Sequence, residues 1–247
     1  MRVIVTRPAH SSERTARKLT ALGYKAFVLP LSEPTHDPDA AITALGQNGG
    51  ALAVTSAEAI RALAASGAAL APHLKRPLFA VGKRTADAAR KIGFAEVFHS
   101  EGDGAGLADL IDRQRTLLAD LPVTYLAGSP RAQGFEARMA EHGISVSTAE
   151  VYHMRDLNPG DADLRHLLLE QKADAILFYS SHTARRFFAL PVVQDFQERL
   201  HSMRFYCLSE QIAAAIPAAL RARAVVAAQP TEESLLGLLG RGGPAQF

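Results

Sequence analysis

The same order of short apolar segments and helical segments occurs twice along the chain, and this repeat constrains its fold most strongly. Residues 2–31 contain an apolar segment, a helical segment ended by glycine and a second apolar segment, and residues 123–152 repeat this order. Three later segments, 53–56, 78–82 and 97–100, correspond to 177–181, 205–209 and 225–229. The offset between the halves changes only from 121 residues (Arg2 to Val123) to 128 (Val97 to Val225). The repeat therefore predicts two related halves of five strands each.

Within each half, apolar segments alternate with segments rich in alanine and leucine. Most apolar segments lack polar alternation, which is typical of strands buried on both faces of a parallel sheet. Several helical segments end at glycine, which adopts the left-handed conformation that closes a helix. This alternation predicts a doubly wound α/β fold. The predicted strands are 3–6, 26–31, 52–55, 78–81, 96–99, 124–127, 146–152, 175–179, 205–208 and 225–228.

A segment rich in proline and aspartate follows the second strand of each half. These segments, 32–38 and 155–161, have the composition of linkers. Two chain paths fit them: tandem domains joined near 120–122, or a chain that leaves the first domain after two strands, builds the second domain and returns. Residues 241–247, with the sequence RGGPAQF, are expected to form a loose tail.

Charge and cysteine content exclude several classes of protein. The 27 basic and 25 acidic residues give a net charge of +2, which is too balanced for a dedicated nucleic-acid binder. One cysteine, Cys207, excludes an internal disulfide and a cysteine-rich metal centre.

The first residues lack the apolar stretch of a secretion signal, and no segment approaches the roughly 18 apolar residues of a membrane span. We therefore expect a cytoplasmic protein without a membrane partner.

The sequence also lacks the motifs of common cofactor and nucleophile sites. Its nine histidines show no metal-ligand spacing, and neither a GxSxG turn nor a Walker P-loop is present. The glycine-rich segment 102–106 opens a helix, but Asp103 would repel a phosphate, which favours an ordinary helix start. Cys207 lies in an apolar strand and is interpreted as a small core residue. We expect neither a metal nor a cofactor.

Small and hydroxyl-bearing residues stand where several predicted strands end and helices begin. In open α/β sheets ligands bind at these strand ends, and helix N-termini offer N–H groups and partial positive charge to anions. Two such sheets facing each other would form a cleft suited to a ligand with many carboxylates. Helix capping accounts for the same residues, because Ser and Thr at a helix start contribute roughly 1 kcal/mol. The small and hydroxyl-bearing residues are Thr6, Thr55, Ser56, Gly82, Thr85, Gly128, Ser180 and Ser181, and the arginines Arg7 and Arg131 stand beside them.

Five short motifs follow one another between residues 5 and 152: 5–8 (VTRP), 55–57 (TSA), 81–86 (VGKRTA), 126–131 (LAGSPR) and 150–152 (EVY). In this order they resemble the motifs of the uroporphyrinogen-III synthase family. The resemblance implies two flavodoxin-like doubly wound parallel-sheet domains joined by a two-stranded linker. Domain one would comprise 1–33 and 156–247, and domain two 36–150, with linkers at about 32–38 and 151–161. This favours the path that leaves the first domain and returns.

The resemblance also implies a reaction without a cofactor. Hydroxymethylbilane, a linear tetrapyrrole with many carboxylates, would lose its hydroxyl group and close to uroporphyrinogen III with its last ring inverted, a step of haem biosynthesis. Tyr152 matches a tyrosine thought to assist this step, and we expect its phenol to donate a hydrogen bond to the departing hydroxyl. A tyrosine that only packs between the domains would fit the same position.

Further substrate-binding residues follow from the resemblance. Arg7 and Arg131 would pair with substrate carboxylates. Hydroxyl or backbone hydrogen bonds would come from Thr55, Ser56, Gly82, Thr85, Ser180 and Ser181. The resemblance suggests a monomer.

Two features depart from the family pattern. Residues 209–212 (SEQI) stand where a Gly-Pro-Thr-Thr-like turn is expected, which removes a threonine hydroxyl and adds a carboxylate. Glu58 lies beside the expected polyanion site, so we expect its side chain to point away and leave backbone N–H groups to bind.

A non-catalytic two-domain clamp that binds an anionic small molecule fits the same residues. In such a clamp Tyr152 would be dispensable, whereas in the enzyme it would not. The sequence leaves both functions open.

Overall fold

The computed structural model describes residues 1–118 and 120–241, so most of the expected C-terminal tail lies outside the described residues. The chain divides into two compact units. Unit 1 comprises Met1–Glu33 and Arg155–Phe247, and unit 2 comprises Pro34–Met154. The chain therefore passes from one unit to the other twice.

Strands and helices alternate through both units. The described strands are β1 Arg2–Val5, β2 Lys25–Val28, β3 Ser32–His36, β4 Leu52–Val54, β5 Leu78–Val81, β6 Val97–Ser100, β7 Val123–Ser129, β8 Val146–Asp156, β9 Ala175–Phe178, β10 Arg204–Cys207 and β11 Ala224–Val226. The described α-helices are α1 Ala9–Ala21, α2 Pro38–Gln47, α3 Ala57–Ala65, α4 Lys83–Lys91, α5 Gly104–Arg113, α6 Gly134–Glu141, α7 Asp161–Arg165, α8 Ser181–Ala189, α9 Pro191–Asp195, α10 Gln197–His201, α11 Glu210–Ala213 and α12 Glu232–Arg241. Short 3-10 turns occupy Gly67–His73, Arg115–Leu117 and Ala218–Arg223, and a π-turn occupies His166–Glu170. Among the described helices, none has the length and apolar character needed to cross a membrane.

Both units are built on parallel sheets with the same strand order. The sheet of unit 1 has the order β2-β1-β9-β10-β11, and all its neighbouring strands are parallel. The other sheet has the order β3-β8-β7-β4-β5-β6, with parallel pairing from β8 to β6. Both contain the 2-1-3-4-5 order of a flavodoxin-like sheet. The prediction of two flavodoxin-like doubly wound domains is confirmed.

The internal repeat explains how the two sheets are assembled. Strands β1 and β2 of the first half lie beside β9, β10 and β11 of the second half. Strands β7 and β8 of the second half lie beside β4, β5 and β6 of the first. Each sheet thus combines the first two strands of one half with the last three of the other.

Buried apolar side chains cover both faces of each sheet. On β1, Ile4 packs into one hydrophobic cluster, whereas Val3 and Val5 pack into another, and all three are fully buried. On β4, Leu52 and Val54 pack on the opposite side from Ala53 in the same way. Because both faces are covered, these strands carry no polar alternation, as the sequence predicted.

The segment 32–38, which has the composition of a linker, contains strand β3. This strand lies at the edge of its sheet beside the eleven-residue strand β8. An edge position accommodates Pro34, because proline has no N–H group to donate to a neighbouring strand. The two strands that connect the units are thus hydrogen-bonded neighbours, as expected for a two-stranded linker.

Candidate active site

Several candidate residues of each unit lie where its sheet changes winding direction, whereas Gly82 and Thr85 follow β5, one strand further along. In unit 2, β4 leads into Thr55 and Ser56 beside the carboxyl end of β7. In unit 1, β1 leads into Thr6 and Arg7, and the neighbouring strand β9 leads toward Ser180. Open α/β sheets bind ligands at such switch points, because the helices diverge there and leave a crevice.

A β-bulge determines where the side chain of Tyr152 lies. Strand β7 pairs Ala127 with Glu150 and then Gly128 with Tyr152, so Val151 is an extra residue in β8. In a regular strand Val151 and Tyr152 would point to opposite faces, but both pack against the same hydrophobic cluster. The bulge thereby turns Tyr152 across Gly128, where an added Cβ would lie 2.5 Å from the phenol oxygen.

The surroundings of Tyr152 keep its phenol protonated. Burial raises the pKa of Tyr152, a hydrogen bond with the Ser56 side chain opposes the rise, and the charge of Glu58 adds to it. A protonated phenol can donate a hydrogen bond to an oxygen atom of a ligand.

A second buried tyrosine holds Thr55. The hydroxyl oxygens of Thr55 and Tyr125 lie 2.9 Å apart, and the Tyr125 side chain is almost fully buried. Burial raises the pKa of Tyr125, against the effect of its hydrogen bond with Thr55. The rotamer of Thr55 is therefore fixed by a protein partner.

Ser56 caps helix α3 and stands beside a charged cluster. Its hydroxyl accepts a hydrogen bond from the Glu58 backbone N–H at 3.2 Å. The Glu58 carboxylate is held by His36, whose Nε2 lies 2.9 Å from Oε2, and by Arg61. Glu58 is thus neutralised by partners within unit 2.

Arg131 lies between two glutamates. Its Nη1 donates to Glu150 at 2.7 Å and its Nη2 to Glu136 at 3.0 Å. Hydrogen bonds with Glu136 and Glu150 raise the pKa of Arg131, and the bond with Glu136 has the larger effect. Its charge is therefore compensated before any ligand binds, and its pairing with substrate carboxylates stays a prediction.

Gly82 and Thr85 begin helix α4. Gly82 has a φ of 74°, which favours glycine, and its N–H donates to the Ser100 carbonyl at 2.8 Å. Thr85 is buried, and its N–H donates to the Gly82 carbonyl. The backbone donor expected at Gly82 is thus used inside unit 2.

In unit 1 the carboxylate of Glu232 binds Arg7 and two neighbouring polar side chains. Glu232 accepts hydrogen bonds from Arg7 at 2.8 Å and Thr15 at 2.6 Å, and it also pairs with Lys18. The Arg7 guanidinium lies 4.2 Å from the ring centre of Tyr179. Burial, with the charge of Glu232, raises the pKa of Tyr179 to about 12.

The two serines at the start of α8 also have protein partners. Ser180 caps the helix, accepting from the Thr183 N–H at 3.1 Å. The Ser181 hydroxyl is exposed and donates to the Gln211 carbonyl at 3.1 Å. Segment 209–212, which differs from the family pattern, therefore contacts the predicted binding residue Ser181 through the backbone carbonyl of Gln211.

The structure brings Thr55, Ser56 and Tyr152 to one place in unit 2 and Arg7 and Ser180 to one edge of the sheet in unit 1. Sequence reasoning missed several partners of these residues. Tyr125 resembles a core residue, and Glu232 lies 225 residues from Arg7, so neither had a local signal. The missed residues are His36, Tyr125, Tyr179 and Glu232.

The site contains hydrogen-bond donors and protonated tyrosine phenols rather than strong nucleophiles. Burial, with the charge of Glu210, raises the pKa of the Cys207 thiol to about 12, so it is not a reactive thiolate. Within residues 1–118 and 120–241 no three His, Cys, Asp or Glu side chains are grouped to hold a metal ion. The described groups suit binding of carboxylates and hydroxyls.

The fold and these strand ends define a two-unit α/β protein whose polar switch points suit an anionic small molecule. Comparison with known sequences gives the family: the model of uroporphyrinogen-III synthase HemD matches residues 13–237. The chain belongs to this family and is an enzyme of tetrapyrrole biosynthesis that converts hydroxymethylbilane to uroporphyrinogen III.

Solved structures agree with this fold. Uroporphyrinogen-III synthetase from Helicobacter pylori superposes with a TM-score of 0.65 at 20% identity, covering 98% of this chain and 99% of that chain. A mutant uroporphyrinogen III synthase from the extremely thermophilic bacterium Thermus thermophilus gives a TM-score of 0.57 at 19% identity, covering 98% and 97%. No curated protein sequence matches the chain.

Proposed function

We propose that the chain closes hydroxymethylbilane without a cofactor, with Tyr152 assisting loss of the hydroxyl group and the strand ends of both units binding the substrate. The position of Tyr152 carries this proposal. Its phenol is turned across Gly128 by the bulge in β8, beside Ser56 and Thr55, and its raised pKa keeps it protonated.

The chemistry needs a hydrogen-bond donor more than a strong acid. The pyrrole nitrogen supplies the electron pair that expels the hydroxyl group, which leaves poorly unless its oxygen is hydrogen-bonded or protonated. A phenol held in one rotamer supplies such a bond, and positioned proton donors typically contribute 10²- to 10⁴-fold.

Selecting the inverted isomer is a task of positioning. The last ring must be held so that its substituted carbon is attacked, which gives a spiro intermediate that opens and closes again. Fixed donors perform this task because they lower the entropy lost on reaching the transition state. Thr55, Ser56, Thr85, Ser180 and Ser181 would supply the donors, and Arg7 and Arg131 would pair with carboxylates. Gly82, whose N–H is bonded to the Ser100 carbonyl, would shape the start of α4 beside the substrate.

The arginines would bind substrate by exchanging partners. Arg7 is held by Glu232, and Arg131 by Glu136 and Glu150. A substrate carboxylate would have to replace one of these contacts, so binding would cost the energy of the existing ion pair. Before substrate binds, the same glutamates keep the arginines oriented.

We also propose that the protein works as a monomer in the cytoplasm. Each unit has its own hydrophobic clusters, which is consistent with a monomer, and the one cysteine, Cys207, is free and buried, which fits a reducing compartment. Light scattering on the purified full chain would test the monomer.

The test is to give the purified chain freshly made hydroxymethylbilane and to separate the product isomers. We expect the type III isomer, and Tyr152→Phe should lower kcat roughly 100-fold with KM little changed. Tyr24→Phe, in unit 1, is the matched control and should keep full activity. Type I product alone would contradict the proposed positioning of the last ring, and an active Tyr152→Phe variant would remove Tyr152 from the mechanism.

A further inference from the structure

Beside Tyr152, unit 2 holds an imidazole and a carboxylate whose arrangement suits proton transfer. The Asp37 N–H donates to the Val151 carbonyl at 2.8 Å, which sets His36 on β3 alongside Tyr152 on β8. The two rings have centroids 6.5 Å apart and are tilted by 49°. His36 therefore belongs to the same part of the site as the phenol.

The carboxylate of Glu58 determines which nitrogen of His36 is available. Nε2 lies 2.9 Å from the Glu58 carboxylate, and Arg61 holds the other oxygen of that carboxylate. Within residues 1–118 and 120–241, Nδ1 has no hydrogen-bond partner. A carboxylate that accepts from one ring nitrogen fixes the ring and stabilises the imidazolium, which leaves the second nitrogen to give or take a proton.

Burial distinguishes this pair from an ordinary surface contact. The side chains of His36 and Glu58 are 26% and 17% exposed, so a small molecule can reach the ring while solvent screens the pair only in part. The charged and titratable groups that face His36 are Glu58 and Arg61 from α3 and Tyr152 from β8.

We propose that His36, oriented by Glu58, is a further catalytic residue of this site: its imidazolium gives the proton that the departing hydroxyl takes, while Tyr152 holds that oxygen by a hydrogen bond. This inference rests on the proposed function. The C–O bond breaks, its electron pair goes to oxygen, and the oxygen takes the Nδ1 proton and leaves as water. The pyrrole nitrogen supplies electrons to the carbon left behind. When the new C–C bond forms, the closing pyrrole carbon loses one proton, which restores His36.

The test compares two histidines that make the same kind of pair in unit 2. His36→Gln retains an N–H donor for Glu58 but cannot donate a proton. His142→Gln makes the same change at a histidine whose Nε2 lies 2.8 Å from Asp109 and whose Nδ1 lies 3.6 Å from Asp112. Both variants replace an imidazole that contacts a carboxylate, so thermal unfolding reports the structural cost of each. We expect His36→Gln to lower kcat at least 10-fold with KM within twofold, and His142→Gln to keep wild-type kinetics.

The pH profile separates proton donation from a structural role. The pH dependence of kcat should differ between the wild type and His36→Gln, because only the wild type has an imidazole that can give and take a proton at this position. Adding Tyr152→Phe to His36→Gln should cost much less than the product of the two single losses, because both residues act in one step. An unchanged kcat, an unchanged pH profile or fully multiplicative losses would overturn the role of His36. Wild-type protein that forms no type III isomer would instead overturn the proposed function.

Discussion

The phenol of Tyr152 occupies the space that a side chain at Gly128 would fill. A Cβ at position 128 would lie 2.5 Å from the Tyr152 oxygen, which is closer than such atoms approach in proteins. Glycine is needed here because of this contact and not because of a left-handed backbone, since Gly128 is absent from the glycines of positive φ. The position of the Tyr152 ring on β8 therefore requires a glycine at position 128 on β7.

Replacing this glycine should disable Tyr152 without removing it. We expect Gly128→Ala to lower kcat about as much as Tyr152→Phe, roughly 100-fold, because the ring must leave its place. The added methyl group should cost about 1–3 kcal/mol of unfolding free energy. Isomer assays and urea unfolding measure the two effects. Gly134→Ala, where a Cβ has open space in the same unit, is the control; equal kinetics for both variants would contradict the argument.

The sequence predicted the sheets and the strand ends but not the contacts that orient the site. Buried strands and helix starts have local signals, such as the apolar segment before Ser56 and the hydroxyl that caps α3. The bulge at Val151 has none, because register depends on how β8 meets β7. Likewise, the partner of Arg7 lies in α12 and that of Glu58 in β3, and only the folded chain brings them together.

Ser56 should serve both as a helix cap and as a ligand donor, and two variants separate these roles. Ser56→Ala and Asp103→Ala each remove a cap, since Asp103 accepts from the Gly106 N–H at 3.1 Å. Each should lower the unfolding free energy by about 1 kcal/mol. Only Ser56→Ala should also change KM or kcat for hydroxymethylbilane. If steady-state kinetics of the two variants agree, Ser56 acts as a cap alone.

Arg76 should stabilise unit 2 without taking part in the reaction. Its buried guanidinium donates to the carbonyls of Gly50 at 2.6 Å and Leu45 at 2.9 Å and to the Thr124 hydroxyl at 3.2 Å. Burial lowers the pKa of Arg76. Lysine cannot reach three separate acceptors, so Arg76→Lys should cost about 3 kcal/mol of unfolding free energy.

Urea unfolding of Arg76→Lys should be compared with that of Arg115→Lys. Arg115 is half-exposed, pairs with Asp112 and donates to the His142 carbonyl at 2.6 Å, so its replacement should cost about 1 kcal/mol. Both variants should still form the type III isomer wherever they are folded. A selective loss of that isomer in folded Arg76→Lys would show that the residue acts on the site.

Glu232 should make the stability of unit 1 depend on pH. Burial acts to raise the pKa of Glu232, but hydrogen bonds from Lys18 and Thr15 and the charge of Arg7 outweigh it, so the pKa lies below its ordinary value of 4.5. A carboxyl group with a lowered pKa stabilises the folded state fully above its unfolded pKa, and this contribution is lost as the pH falls through the folded pKa. Glu232→Gln should therefore cost about 2 kcal/mol of unfolding free energy at pH 7, and this difference from the wild type should shrink as the pH falls below 4.5.

Measuring the unfolding free energies of Glu232→Gln and the wild type between pH 7 and pH values below 4.5 checks the direction of this change. Glu233→Gln is the control, because Glu233 is 80% exposed and should change stability little at any pH; a cost for Glu232→Gln that stays constant to low pH would contradict the assignment.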